Sequence, residues 1–380
     1  MRRTIALACA GLALLGALPP ALACSICGSI GDQKTFRQDA GDSKLILFGT
    51  LDKSTPNAGG MGSTDFSLTK VIKTDPILGD KKTLEIPRYI PIDKNKEHPR
   101  YLLFVDVFKG KLDFFRGVPV QSADAVDYVQ GLVKIDPKDR SKLLLHCFNY
   151  LEHPDKEIAY DAYLELAKAS DQEIGQIAGK LAPEKLRGWI KNPKTPQERL
   201  GLYAFLLGGC GKEADAVFLR SLLDKPTEHI IPAYDGILDG YIQLRPKEGW
   251  DFAQTVLRDE KQPFQVRFAV VRTLRFFHNW KPDATEANVL ACLRLVLSQG
   301  DLADLAVADL IRWKNWDLTN DVLTLYGKKS HDAPIVRRSI VRYALLCPKP
   351  AAAAFVADRR KQDPDLVSDV EEGLQLEKGK

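Results

Sequence analysis

Histidine is scarce in this 380-residue chain: the six are His98, His146, His153, His229, His278 and His331, and none stands in a zinc-protease His-Glu-x-x-His. No nucleophile-elbow Gly-x-Ser-x-Gly, phosphate-binding loop or dinucleotide fingerprint occurs, so the local signatures of many hydrolases, nucleotide enzymes and dehydrogenases are missing. Gly208-Gly-Cys-Gly-Lys212 has the composition of a phosphate loop but the wrong spacing, and its flanks read as helix. Excess charge of one sign is lacking too: 54 basic residues face 50 acidic ones, which gives no support to a nucleic-acid partner. Cysteine is absent from Gly28 to His146. Beyond the first 23 residues no apolar run approaches the roughly 20 residues of a membrane helix.

Those first residues hold Arg2 and Arg3, an apolar run from Ile5 to Leu18, Pro19-Pro20 and then Ala21-Leu22-Ala23. This is the layout of a signal peptide, expected to span 1–23 and to leave Cys24 as the first mature residue. Losing Arg2 and Arg3 lowers the formal charge from +4 to +2. A cysteine directly after the cut also permits a lipoprotein, but such signals usually carry Leu where Ala21 stands, which favours free secretion over a lipid anchor at Cys24. The expected address is outside the cytoplasm, periplasmic or extracellular, or membrane-anchored through that lipid.

From Leu45 to Val120 the apolar pattern has a period of two. Leu45–Leu51, Phe66–Leu68, Leu84–Ile86 and Tyr101–Phe108 read as strands, separated by turn formers such as Pro56-Asn57-Ala58-Gly59-Gly60, Pro76–Gly79 and Lys109-Gly110. Residues 24–121 therefore form an expected β module. From Ser122 the period becomes helical: Leu144, Cys147, Phe148 and Leu151 make one stripe, and Ile158, Ala162, Tyr163 and Leu166 the next. Ser170-Asp-Gln-Glu173 is a capping box, and Thr195-Pro-Gln-Glu198 a second helix start. Stops fall at Asp136-Pro137, His153-Pro154, Asn192-Pro193, Arg245-Pro246 and Cys347-Pro348. Paired helices result, with second members expected near Pro154, Thr195, Thr227, Pro263, Asp301 and Asp332. Residues 349–380 read as capping helices and tail.

Two stretches repeat one another. Val266-Arg267-Phe-Ala-Val-Val-Arg272 and Val336-Arg337-Arg-Ser-Ile-Val-Arg342 share V-R-x-[AS]-[VI]-V-R at an offset of 70 residues, two copies of a unit of roughly 35. Asp332-Ala-Pro-Ile-Val-Arg337, with Ile340, Ala344 and Leu345, resembles the second helix of a HEAT-type repeat. His153-Pro154-Asp155 through Leu164 is similar without the arginine, and the Pro263 unit is similar without the aspartate. The resemblance covers roughly 136–348 and implies that residues 122–348 form an all-α, right-handed superhelix of HEAT-like pairs, with a protein-binding role. Cys24-Ser-Ile-Cys27, Leu47-Phe-Gly-Thr-Leu51, Lys70-Val-Ile-Lys and Arg100-Tyr-Leu-Leu-Phe104 together resemble the OB-fold domain of netrin modules and tissue inhibitors of metalloproteinases. That implies a small barrel. Here the spacing is Cys-x-x-Cys, and with no cysteine up to His146 the long-range disulfides of that family cannot form inside the module. The expected class is thus α+β and multidomain.

Cys24 and Cys27 are the sharpest chemical feature, since two thiols at this spacing can form a disulfide, take a lipid, ligate a metal or exchange electrons. Cys147, Cys210, Cys292 and Cys347 lie on apolar stripes and read as small buried hydrophobes, although export permits a pairing such as Cys210 with Cys147. His146 and His153, seven apart, are expected on one helix face without a carboxylate to complete a ligand set. Arg267, Arg272, Arg275, Arg337, Arg338 and Arg342 form a basic series on the two repeat helices. Arg267 and Arg337 read as ladder residues pairing with acids such as Asp301 or Asp332. Arg272, Arg275, Arg338 and Arg342 are the candidates for binding a protein or acidic polymer, with Arg272 and Arg342 open between the two roles. Trp280 and Trp316 read as plugs between helix pairs.

These features point to an exported, non-enzymatic interaction or scaffold protein without a cofactor. The alternatives are a thiol or metal protein acting through Cys24 and Cys27, and a protease inhibitor acting through the mature terminus.

Overall fold

Leu45-Ile-Leu-Phe48 and Leu102-Leu-Phe-Val105 are apolar at every position, a pattern that suits a strand buried on both faces. The computed structural model, which describes residues 33–57, 62–93 and 97–378, places both in one sheet. A short helix α1 (Phe36–Asp42) leads into β1 (Leu45–Pro56), β2 (Gly62–Lys73), β3 (Thr83–Ile86), β4 (Arg100–Phe108) and β5 (Lys111–Val120). The strands pair antiparallel in the order β3-β2-β1-β4-β5. Leu45, Leu47, Leu103 and Val105 meet Phe66, Leu84 and Ile86 on one face. Ile46, Phe48, Leu102 and Phe104, with Val118 and Val120, enter the core shared with the helices on the other.

The expected barrel is not what forms: the sheet is open, with β3 and β5 as its edges. β3 is four residues long and runs into Pro87, which has no amide to donate and halts the ladder. β5 is a strand that the sequence reading did not single out; its first seven residues alternate exposed and half-buried positions, with no full apolar run to mark it.

Helices fill the rest of the described chain. They are α2 (Asp124–Lys134), α3 (Arg140–Phe148), α4 (Lys156–Ala167), α5 (Asp171–Ala178), α6 (Pro183–Lys191), α7 (Gln197–Cys210), α8 (Glu213–Asp224) and α9 (Tyr234–Leu244). There follow α10 (Pro246–Arg258), α11 (Phe264–Trp280), α12 (Pro282–Leu297), α13 (Ala303–Arg312), α14 (Thr319–Leu323), α15 (Pro334–Leu346), α16 (Pro350–Gln362) and α17 (Pro364–Lys378). The architecture is α+β: an open antiparallel sheet followed by a long helical array. Ser170 and Glu173 form the capping box in both directions. Five of the six expected second helices start within two residues of their predicted places. The one placed near Thr227 begins only at Tyr234, after a 3-10 turn at Ile231–Ala233 that contains Pro232.

Helices pack on their next-but-one neighbours: α7 on α9, α9 on α11, α13 on α15 and α15 on α17, with α10, α12, α14 and α16 forming a second row. Glycine permits the closest of these crossings. A Cβ on Gly208 would lie 2.6 Å from the Gly240 Cα, so the Gly208–Lys212 run serves helix packing of α7 on α9. α5 packs against both α7 and α11, so that α5, α7, α9 and α11 close into a ring. Phe205, Phe276 and Trp280 fill it, with ring centroids 4.9 to 5.3 Å apart.

α1 rivets the sheet to the helices. Phe36 is buried between Phe104 and Tyr128, and its amide donates to Asp161 Oδ1 on α4 at 2.7 Å. Thr35 Oγ1 and Arg37 Nε both donate to Glu165, one turn further along α4. On the sheet side Arg116 of β5 pairs with the buried Asp39, and Lys73 Nζ donates to the Ala40 and Ser43 carbonyls.

Candidate interaction surface

The six arginines of the basic series sit on or beside two helices, and each is held by an acid. Arg267, at the start of α11, donates from Nη1 and Nη2 to the two carboxylate oxygens of Asp301 at 2.9 and 2.6 Å, and reaches Gln299. Hydrogen bonding comes first among the causes that hold the Asp301 carboxyl below its ordinary range. Arg337 lies 3.7 Å from Asp332. The binding candidates have partners as well. Arg272 Nε lies 2.8 Å from Asp235 Oδ2 on α9, and Arg275 Nε donates to Asp309 Oδ2 on α13 at 2.7 Å. Arg338 lies 2.8 Å from Asp369, and Arg342 makes a two-pronged contact with Glu377, both on α17. These pairs stitch alternate helices together: α11 to α9 on one side and to α13 on the other.

Asp309 is fully buried. Desolvation pushes its carboxyl above the ordinary range, and Arg275 and Arg312 pull against that push. Arg275 is therefore a counter-ion that the core needs, whereas Arg338, with a side chain 60% exposed, is held only by a surface pair worth little.

What distinguishes α11 is the apolar component beside its arginines. Val266, Ala269, Val270, Thr273, Leu274, Phe276 and Phe277 face inward. Phe264, Phe268, Arg272 and Arg275, spaced four, four and three apart, share another side of the helix. The Phe264 and Phe268 rings stack 5.8 Å apart at 10°, and Phe264 remains 45% exposed. The Arg272 and Arg275 guanidinium carbons lie 5.7 and 6.0 Å from the Phe268 ring centre. The result is a surface of two aromatic rings and two guanidinium groups on one rigid helix, a composition that favours protein contact. The sequence reading did not single out the phenylalanines, because an apolar pair in a helix opening is also the mark of a core face.

The remaining candidates disperse. Cys24 and Cys27 lie outside the described residues. Cys147, Cys210, Cys292 and Cys347 are free thiols. Burial pushes Cys210 up to about 11 and Cys292 up to about 12, which keeps both as inert thiols near neutrality. His146 and His153 are not on one helix face: α3 ends at Phe148, so His153 lies in the turn beyond, and the two rings flank Tyr150 at 5.2 and 5.9 Å. Trp280 packs on Phe205 and Phe276, and Trp316 on Tyr343. Among the described residues no group of three His, Cys, Asp or Glu side chains is placed to hold a metal ion, and no helix is long and apolar enough to cross a membrane. Comparison with protein-family models, with curated proteins and with solved structures finds no match to this chain.

Proposed function

We propose that this protein is exported by its N-terminal segment and works without catalysis, its helical array presenting α11 to an acidic protein partner. The array is read as a right-handed, HEAT-like stack, and the sheet as an OB-like module left open between its edges; the strand order β3-β2-β1-β4-β5 supports the second reading. The single observation that carries the function is the Phe264–Phe268 stack, exposed at Phe264 and half-buried at Phe268, beside Arg272 and Arg275. An aromatic anchor flanked by guanidinium groups supplies contact area, and the partly exposed Arg272 supplies positive charge for an acidic partner.

The test is capture from an envelope fraction with the full mature chain and with Phe264→Asp as parallel baits. Phe264 is the first residue of α11, where an aspartate suits the helix end, so the variant should keep its fold and its melting temperature. A protein held by the first bait and reduced at least tenfold on the second supports the reading. Identical capture by both, or a measurable turnover by the purified chain, overturns it.

A further inference from the structure

α9 carries Asp235 and Asp239 one turn apart, both buried and both on the side that meets α11. Asp239 is 1% exposed, and neither carboxylate oxygen has a hydrogen-bond partner. The neighbouring Thr273 hydroxyl of α11 donates instead to the Asp235 carbonyl, at 3.4 Å. Asp235 Oδ2 lies 2.8 Å from Arg272 Nε in an ion pair that lacks hydrogen-bond geometry, so the one nearby guanidinium sits against the other acid.

The elements around the pair bring further acid but little base. α5 contributes the buried Asp171, which adds to the negative field at Asp239. α7 meets α9 through Gly201, Ala204 and Gly208, which carry no charge. α8 meets α9 with Leu219 and with Arg220, whose guanidinium sits over the Tyr241 ring; α10 packs Gly249 on Ile242. Burial drives both carboxyls above the ordinary range, Asp239 well above it; for Asp239 the Asp235 charge is the next cause, with the Thr273 hydroxyl and then Arg272 opposing, and for Asp235 it is Arg272 that opposes. Two ionised carboxylates here would be buried anions sharing one guanidinium, which low-dielectric surroundings penalise heavily.

We propose that Asp235, Asp239 and Arg272 form a proton-held latch on the ring of α5, α7, α9 and α11. With Asp239 protonated the ring stays shut. When the proton leaves to solvent, mutual repulsion of the two carboxylates parts α11 from α9 and α5, and the Phe205–Phe276–Trp280 packing opens.

Hydrogen exchange of the full mature chain at pH 6 and pH 8.5, corrected for intrinsic rates, tests this. Amides of α5 and α11 should lose at least tenfold protection at the higher pH relative to α15 and α17, since one linked proton shifts an opening equilibrium by up to tenfold per pH unit. Asp239→Asn should abolish that loss, and Asp161→Asn, which removes a separate buried acid, should leave it intact. Equal wild-type protection at the two pH values overturns the latch without any variant. So does an unchanged loss in Asp239→Asn or, should that variant fail to fold, in Asp239→Leu.

Discussion

Asp161 shows how one side chain can tie stability to pH. It is fully enclosed, and desolvation lifts its carboxyl to about 7 despite hydrogen bonds from the Phe36 amide and the Tyr128 hydroxyl. Glu165, one turn along, adds to the rise, and Arg116 opposes it. The unfolded chain releases this proton near the ordinary value of 3.8, whereas the folded chain keeps it up to about 7. Between those values the folded state binds more protons than the unfolded one, so this group makes stability fall as pH rises through the window and level off above it. Asp161→Asn keeps an acceptor for the Phe36 amide and removes the titration. Urea unfolding midpoints should fall between pH 4 and 7 in the wild type and fall less steeply in the variant, the remaining slope coming from the other buried acids Asp235, Asp239 and Asp309. The relative gain at pH 8 should reach up to about 4 kcal/mol, because each pH step of one between the unfolded and folded titrations is worth about 1.4 kcal/mol. Parallel curves would refute the assignment.

Among the elements, α1 was hidden from sequence patterning, as β5 was. Thr35-Phe36-Arg37-Gln38 does contain a capping box, but seven residues give too few turns to display a helical period. Its stability comes instead from tertiary contacts with β5, α2 and α4, residues far away along the chain. By contrast α11 and α15 were legible because each has at least three turns of regular apolar spacing bounded by proline, and Arg267 could be matched to Asp301 from the repeat itself. The buried acids were not legible: in Tyr160-Asp-Ala-Tyr-Leu-Glu165, Asp161 and Glu165 flank an apolar stripe, and only the fold reveals that α1 and Arg140 close over them. The candidate surface was half legible, its arginines by repetition and its phenylalanines only through their exposure. The importance of α1 is measurable. Phe36→Ala removes a ring that is 1% exposed, and a cost of about 3 to 5 kcal/mol is expected, seen as a lower urea midpoint with new proteolytic cleavage before Leu45. An unchanged midpoint would show that α1 is ornamental to the fold.

Across the whole molecule, one face of the sheet and the first helices share a single hydrophobic core. Ile46, Phe48, Leu102, Phe104, Val118 and Val120 belong to the same cluster as Ala125, Tyr128, Val129 and Leu132 of α2, and that cluster continues to Val370 in α17. Each such side chain contributes about 1.5 to 3 kcal/mol by leaving water, so the sheet is a structural wall of the array and its removal strips one side of α2 and α4. The polar contacts run the same way: Asp155, which caps α4, also accepts from the Gln121 and Ser122 amides that lead out of β5. A chain beginning at residue 122 therefore loses the apolar cover of Tyr128, the Phe36 amide that donates to Asp161 and the Gln121 amide that donates to Asp155. Such a fragment should keep its helical circular dichroism, bind a hydrophobic dye that the full chain does not, and unfold at a lower temperature over a broader range. A fragment as cooperative and as heat-resistant as the full chain, with no dye binding, would mean that the array supplies its own end cap and that the sheet is carried on it as a separate unit.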